Sequence, residues 1–128
     1  MQQKSLLVDT NIVIDYLRNY KPAVNYLEKL SMPLFLSAIS VAEIYAGIRN
    51  DSEQKSVENF LNAVEILSTD NTIAATGGTF CKKYKNSHGV GLADALIAAT
   101  ALHHNATLAT LNTRHFPMIK TIKPYEKK

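Results

Sequence analysis

The sequence predicts an α/β fold: a parallel sheet with helices packed on both faces. Three observations support this. Short apolar runs of strand length recur along the chain, at "SLLVD", "PLFLS", "EILS" and "TLAT". Segments with helical periodicity separate them, and strands alternating with helices imply parallel strands joined by crossovers. The bulk numbers suit one domain: 128 residues, 46% hydrophobic and 20% charged. The whole chain, 1–128, therefore reads as a single domain long enough to bury a core without staples.

The elements follow in order. "SLLVD" is a buried strand that stops on an acid, Asp9. "TNIVIDYLRN" starts a helix at once, with Asp9 or Thr10 as its cap. "KPAVNYLEKL" is a second helix with Pro22 in its first turn, and "PLFLS" a second strand. "SVAEIYAGIRN" is a helix capped near Ser40 and stopped near Asn50, with Val41, Ile44, Tyr45 and Ile48 as its core face. "DSEQKSVENFLNAV" is amphipathic helix and "EILS" a strand. "DNTIAATGGTFCKKYKNS" is helix with an awkward Gly77-Gly78 pair, and "HGVG" breaks the chain. "LADALIAATALHHN" is helix, "TLAT" strand and "IKTIKPY" a last strand.

Composition narrows the setting. A single cysteine, Cys81, rules out an internal disulfide and fits a reducing cytoplasm. The polar start "MQQKS" lacks the apolar core of a signal peptide. No apolar run approaches the roughly 18 residues that span a membrane. A net charge of +3 is compatible with a nucleic-acid partner without demanding one.

The informative residues are acids in settings that discourage acids. Asp9 closes an apolar strand, where a carboxylate is costly. Glu43 is the only charge between Ser31 and Ile48, and its helix face carries the small residues Ala42, Ala46 and Gly47. A surface face would normally hold Lys, Glu or Gln, so another element can approach Glu43 closely. Asp94 is the only acid in an alanine-, leucine- and isoleucine-rich helix. It reads either as a first-turn acid that suits the helix dipole or as a carboxylate at an apolar rim. Asn112, just past "TLAT", is a turn residue or a fourth polar group; Arg114 and His115 follow it. Clustered carboxylates need a cation between them. All-oxygen ligands with no Cys or paired His point to Mg²⁺ or Mn²⁺, and carboxylates around a hard cation in an open crevice suit phosphodiester hydrolysis.

"LLVDTNIVIDYL", "ISVAEIYAGI", "GLADALIAATAL" and "ATLNTRHF" resemble, in order and spacing, the motifs of PIN domains, and most nearly those of the VapC toxins of toxin–antitoxin pairs. The resemblance runs from about residue 6 to 122. It implies a parallel three-layer α/β/α sandwich, Mg²⁺-dependent endoribonuclease activity, a VapB-type antitoxin that blocks the site, and a toxin homodimer. By motif match the family acids fall on Asp9, Glu43 and Asp94, and Thr10 and Asn11 match the polar pair after the first acid. Asn112 or His115 occupies the fourth, often acidic, position. A neutral Asn there could hold a metal-bound water.

Three rival readings compete. A phospho-acceptor signalling domain would want two adjacent acids after the first strand, and here there is one. A nucleotide-binding loop at "HGVG" is too short for either standard glycine fingerprint. A non-catalytic interaction module would make the acids structural, and an activity assay in Mg²⁺ distinguishes it. The stretch "CKKYKNSH" sets Lys82, Lys83 and Lys85 around Tyr84. It reads as a solvated helix end rather than an RNA contact, and Arg114 is the better phosphate-contact candidate.

Overall fold

The computed structural model describes residues 5–127; most of the polar start "MQQKS" lies outside the described residues. The strands are β1 (Ser5–Val8), β2 (Leu34–Ser37), β3 (Glu65–Leu67), β4 (Ala106–Ala109) and β5 (Thr121–Ile122). The helices are α1 (Thr10–Leu17), α2 (Lys21–Lys29), α3 (Ala38–Ala46), α4 (Asp51–Ala63), α5 (Asn71–His88) and α6 (Leu92–His103). All strand pairs are parallel, in the order β3-β2-β1-β4-β5. The central strand β1 aligns Leu7 with Phe35 of β2 and with Leu108 of β4.

Alternation along β1 creates two cores. Leu6 and Val8 face one way and pack with Ile12, Val13, Leu27, Leu36, Ile44 and Val57, which come from β2 and α1 to α4. Leu7 faces the other way and packs with Ile97, Ala98, Ala101, Leu108 and Phe116, with Phe80 of α5 against them. Each fully buried aliphatic side chain contributes about 1.5–3 kcal/mol. Helices cover both faces, as the strand–helix alternation predicts.

Local differences from the sequence reading have physical causes. Helix α3 starts directly from β2: Ser37 is the cap, its Oγ accepting from Ile39 N–H at 3.0 Å, and Gly47 ends the helix. The predicted cap near Ser40 and stop near Asn50 are therefore displaced, Ser40 lying buried inside the helix and Asn50 capping α4 instead. Tyr45, expected in the core, is 41% exposed, while Ile44 carries the buried contact. The glycine pair is explained at Gly77. A Cβ there would stand 2.6 Å from Leu96 Cδ2 and 3.1 Å from Leu96 Cα, so α5 and α6 pack too closely for any side chain. Gly78 faces open space. Gly89, at φ +65°, ends α5 in the left-handed conformation glycine favours.

The last predicted strand shortens to Thr121–Ile122, and the chain beyond it returns to α1. There the Tyr125 hydroxyl donates to Asp15 Oδ2 at 2.8 Å and Lys127 Nζ to Asp15 Oδ1 at 2.5 Å. Asp15 is 6% exposed, a buried acid held by two donors from the far end of the chain.

Candidate functional site

Ligand sites of parallel α/β sheets lie beyond the carboxyl ends of the strands, and the misplaced acids gather there. Asp9 follows β1 and is fixed by its backbone N–H, which donates to Ala109 O of β4 at 2.9 Å. Its side chain is buried at 7% exposure, and both oxygens are engaged. Oδ1 accepts from Thr10 N–H at 2.8 Å, making Asp9 the cap of α1, and Oδ2 accepts from Thr110 Oγ1 at 2.7 Å. Burial is the largest influence on Asp9 and raises its pKa. The bonds from Thr110 and Thr10 oppose it, and the charges of Asp94 and Glu43 raise it further.

Thr10 joins α1 to α3. Its Oγ1 donates to Glu43 Oε1 at 2.6 Å and lies 2.7 Å from Ser40 Oγ. A hydroxyl has one proton, so the Ser40 hydroxyl is the donor of that second pair. Glu43 is exposed rather than buried, yet α1 does approach it closely, as its small neighbours imply.

Asp94 sits in the first turn of α6, half-buried. It is not the cap: that position is Gly91, which has no side chain to offer. Asp94 Oδ2 instead lies 3.1 Å from His115 Nδ1, and the same nitrogen is 2.8 Å from the Asn112 side-chain amide. An ionised carboxylate only accepts, so Nδ1 carries the proton given to Asp94. Asn112 then meets that N–H with its carbonyl oxygen, which a half-turn of the amide provides. The Asn112 backbone N–H donates to Thr110 Oγ1 at 3.0 Å. His115 is thus no plain surface residue.

The charges of Glu43 and Asp94 both act on Asp9, with Thr10 bonded to Asp9 and Glu43 and His115, itself bonded to Asn112, beside Asp94. Among the described residues, however, no three His, Cys, Asp or Glu side chains converge as a bound cation would require. Each acid is held by a neighbouring donor instead. Chemically the donors fit a hard divalent ion, being carboxylate oxygens whose mutual repulsion is felt at Asp9. Asn11 and Arg114 are exposed, Asn11 in the first turn of α1 and Arg114 in the 3₁₀ turn Thr113–His115. Lys82, Lys83 and Lys85 are exposed near the end of α5, with Lys83 Nζ 5.3 Å from the Tyr84 ring centroid.

Sequence reasoning missed Thr110 and Ser40. Both are fully buried and polar, Thr110 just past β4 and Ser40 inside α3, but a threonine closing a strand is unremarkable by propensity. Nothing local marks that Thr110 pairs with a residue 101 positions away.

The chain belongs to the PIN domain family, whose sequence pattern matches residues 6–120. Within that family it is of the VapC type. It is 37% identical to Ribonuclease VapC10 of Mycobacterium tuberculosis, over 93% of this chain and 91% of that protein. In structure it is similar to a toxin–antitoxin complex from Klebsiella pneumoniae, with a TM-score of 0.82 and 30% identity over 95% of this chain and 99% of that one. It is also similar to FitAcB from Neisseria gonorrhoeae, with a TM-score of 0.75 and 30% identity over 93% and 97%. The three-layer parallel architecture expected from the motifs is the one observed. The phospho-acceptor and nucleotide-loop readings fall with the family assignment.

Proposed function

We infer that this protein is a metal-dependent endoribonuclease, the toxin of a type II toxin–antitoxin pair, hydrolysing RNA phosphodiester bonds at the acidic crevice. The observation that carries the reading is that Asp9, Glu43 and Asp94, from three distant segments, come near enough for the charges of Glu43 and Asp94 to act on Asp9. There the buried Asp9 is disfavoured as an anion both by burial and by its two neighbours. Such a group is relieved by a cation. The relatives named ribonucleases support the substrate class.

Ribonucleases of this family are generally metal-dependent, and the all-oxygen donor set favours Mg²⁺, with Mn²⁺ able to substitute. Asp9, Glu43 and Asp94 would hold the ion. When bound, it supplies Lewis-acid polarisation of the phosphate and activation of the attacking water. Thr10 orients Glu43 through its hydroxyl and Asp9 through its N–H. Arg114 meets the RNA backbone, since a guanidinium presents paired donors to phosphate oxygens. Asn11 offers a neutral donor at the rim. The likeness to solved toxin–antitoxin complexes supports a VapB-type antitoxin as partner. The family resemblance supports a homodimer. The whole chain, 1–128, acts as one domain. No helix among the described residues is long and apolar enough to cross a membrane. With its RNA substrate and single cysteine, we place the protein in the cytoplasm.

The test is cleavage of a mixed RNA substrate by Asp9→Asn and Asp94→Asn in Mg²⁺, with wild type also assayed in excess EDTA. Both variants should be inactive while folded, with Glu43→Gln severely slowed. EDTA should abolish wild-type cleavage, and Mg²⁺ or Mn²⁺ should restore it. A folded Asp94→Asn protein that cuts at the normal rate overturns the reading. So does wild-type cleavage that persists in chelator.

A further inference from the structure

A continuous chain of side-chain and backbone hydrogen bonds joins two of the acids. From Asp9 Oδ2 it runs to Thr110 Oγ1 at 2.7 Å, then to the Asn112 backbone N–H at 3.0 Å. The Asn112 side chain reaches His115 Nδ1 at 2.8 Å, which in turn lies 3.1 Å from Asp94 Oδ2. We propose that Thr110, Asn112 and His115 form a hydrogen-bonded bridge that locks the Asp9 and Asp94 carboxylates in register, with Thr110 and His115 as positioning residues. The proposal rests on the metal-dependent nuclease reading above and gives these residues the role of orienting the acids.

The geometry carries it in three ways. First, Thr110 is fully buried, and its hydroxyl uses both functions, donating to Asp9 and accepting from Asn112. A buried hydroxyl held at both ends has no rotational freedom, so it fixes the Asp9 oxygen it touches. Second, the bridge is compact. Its members span Thr110 to His115, and the 3₁₀ turn Thr113–His115 aims the imidazole back toward α6. Phe116, 2% exposed in the core beneath, anchors that turn. Third, Nδ1 is the nitrogen that touches Asp94, so the ring acts through its near edge and leaves Nε2 out of the bridge. Groups that orient metal-binding carboxylates change metal affinity or activity by about 10–100-fold when removed.

The test exploits which nitrogen is used. Asparagine places an amide near the position of Nδ1, whereas glutamine places it near Nε2. Mn²⁺ affinity is measured by electron paramagnetic resonance, and kcat and KM for RNA cleavage are measured in parallel. His115→Ala should weaken Mn²⁺ binding about 10–100-fold and lower kcat with little change in KM. His115→Asn should recover most of that loss and His115→Gln should not. Thr110→Val, nearly isosteric, should show a loss of the same order, and Thr110→Ser should restore it. Recovery by glutamine but not asparagine would overturn the bridge in favour of chemistry at Nε2. Unchanged Mn²⁺ affinity in both His115→Ala and Thr110→Val would also overturn it. Asp9→Asn and Asp94→Asn serve as controls. If they still cut RNA, the nuclease reading fails. If they are inactive while the bridge variants behave as wild type, only the bridge fails.

Discussion

Asp94→Asn separates a structural acid from a metal-binding one, and the structure sets the size of each effect. The first turn of α6 favours an anion by about 0.3–1 kcal/mol through the helix dipole. The bond from His115 Nδ1 is kept by an asparagine carbonyl, though weaker without the charge. No cap is lost, because Gly91 holds that position. Against these small losses stands the removal of one like charge acting on buried Asp9. The opposing effects nearly cancel. In EDTA the variant should melt within about 1 kcal/mol of wild type, or roughly 4 °C for a chain of this length. Mg²⁺ should then separate the two proteins. A ligand that binds only the folded state stabilises it by about 2.7 kcal/mol at a hundredfold excess over its dissociation constant, roughly 10 °C here. Wild type should show that rise, and Asp94→Asn should lose most of it. The assay is a thermal melt of both proteins in EDTA, followed by a Mg²⁺ titration. An equal rise in both proteins would remove Asp94 from the metal-binding set. A drop in EDTA well beyond about 4 °C would make it chiefly a structural acid.

Other consequences are as direct. Because burial raises the Asp9 pKa, the folded metal-free protein binds that proton more readily than the unfolded chain. The stabilisation is full below the unfolded carboxylate value and is lost as pH rises through the folded one. The wild-type urea midpoint should therefore fall relative to that of Asp9→Asn between about pH 4 and pH 7, and a constant gap would contradict the raised value. Gly78→Ala should stabilise the protein by about 0.5–1 kcal/mol, since its Cβ meets nothing. Gly77→Ala should fall about 1–3 kcal/mol below Gly78→Ala because it overpacks Leu96, and equal urea midpoints would refute the close approach of α5 to α6. Tyr125→Phe removes one of the two donors to buried Asp15 and should cost about 1–2 kcal/mol in urea, an effect that Tyr20→Phe should not reproduce.

What was legible in the sequence was whatever local contrast could signal. Asp9 ended an apolar strand and Asp94 stood alone in an apolar helix, so the contrast itself marked both. Glu43 was marked by its small neighbours, which allow Thr10 to reach it. The start of α3 was misplaced because "SAISVAE" offers two serines, and the earlier one caps when a strand runs straight into a helix. His115 was invisible as a partner of Asp94 because 21 residues separate them, and turn chemistry explains a histidine there equally well. Nothing in the local sequence singles out Asp15. Only the return of the chain after β5 buries it, and such long-range closure leaves no local pattern.

The strand order has a consequence for the birth of the protein. The central strand β1 is made first, but its partner β4 arrives about a hundred residues later. At about 5–20 residues per second, seconds pass on the ribosome before Ala109 can accept the Asp9 N–H or Thr110 can reach the Asp9 carboxylate. Until then β1 has one bare edge, open to pairing with another chain. An incomplete chain released before β4 would lack the bond that orients its first acid. The topology thus delays the assembly of the acids until β4 has been made. A ribonuclease built this way does not acquire its complete site on the very ribosome that is making it before the last strands emerge.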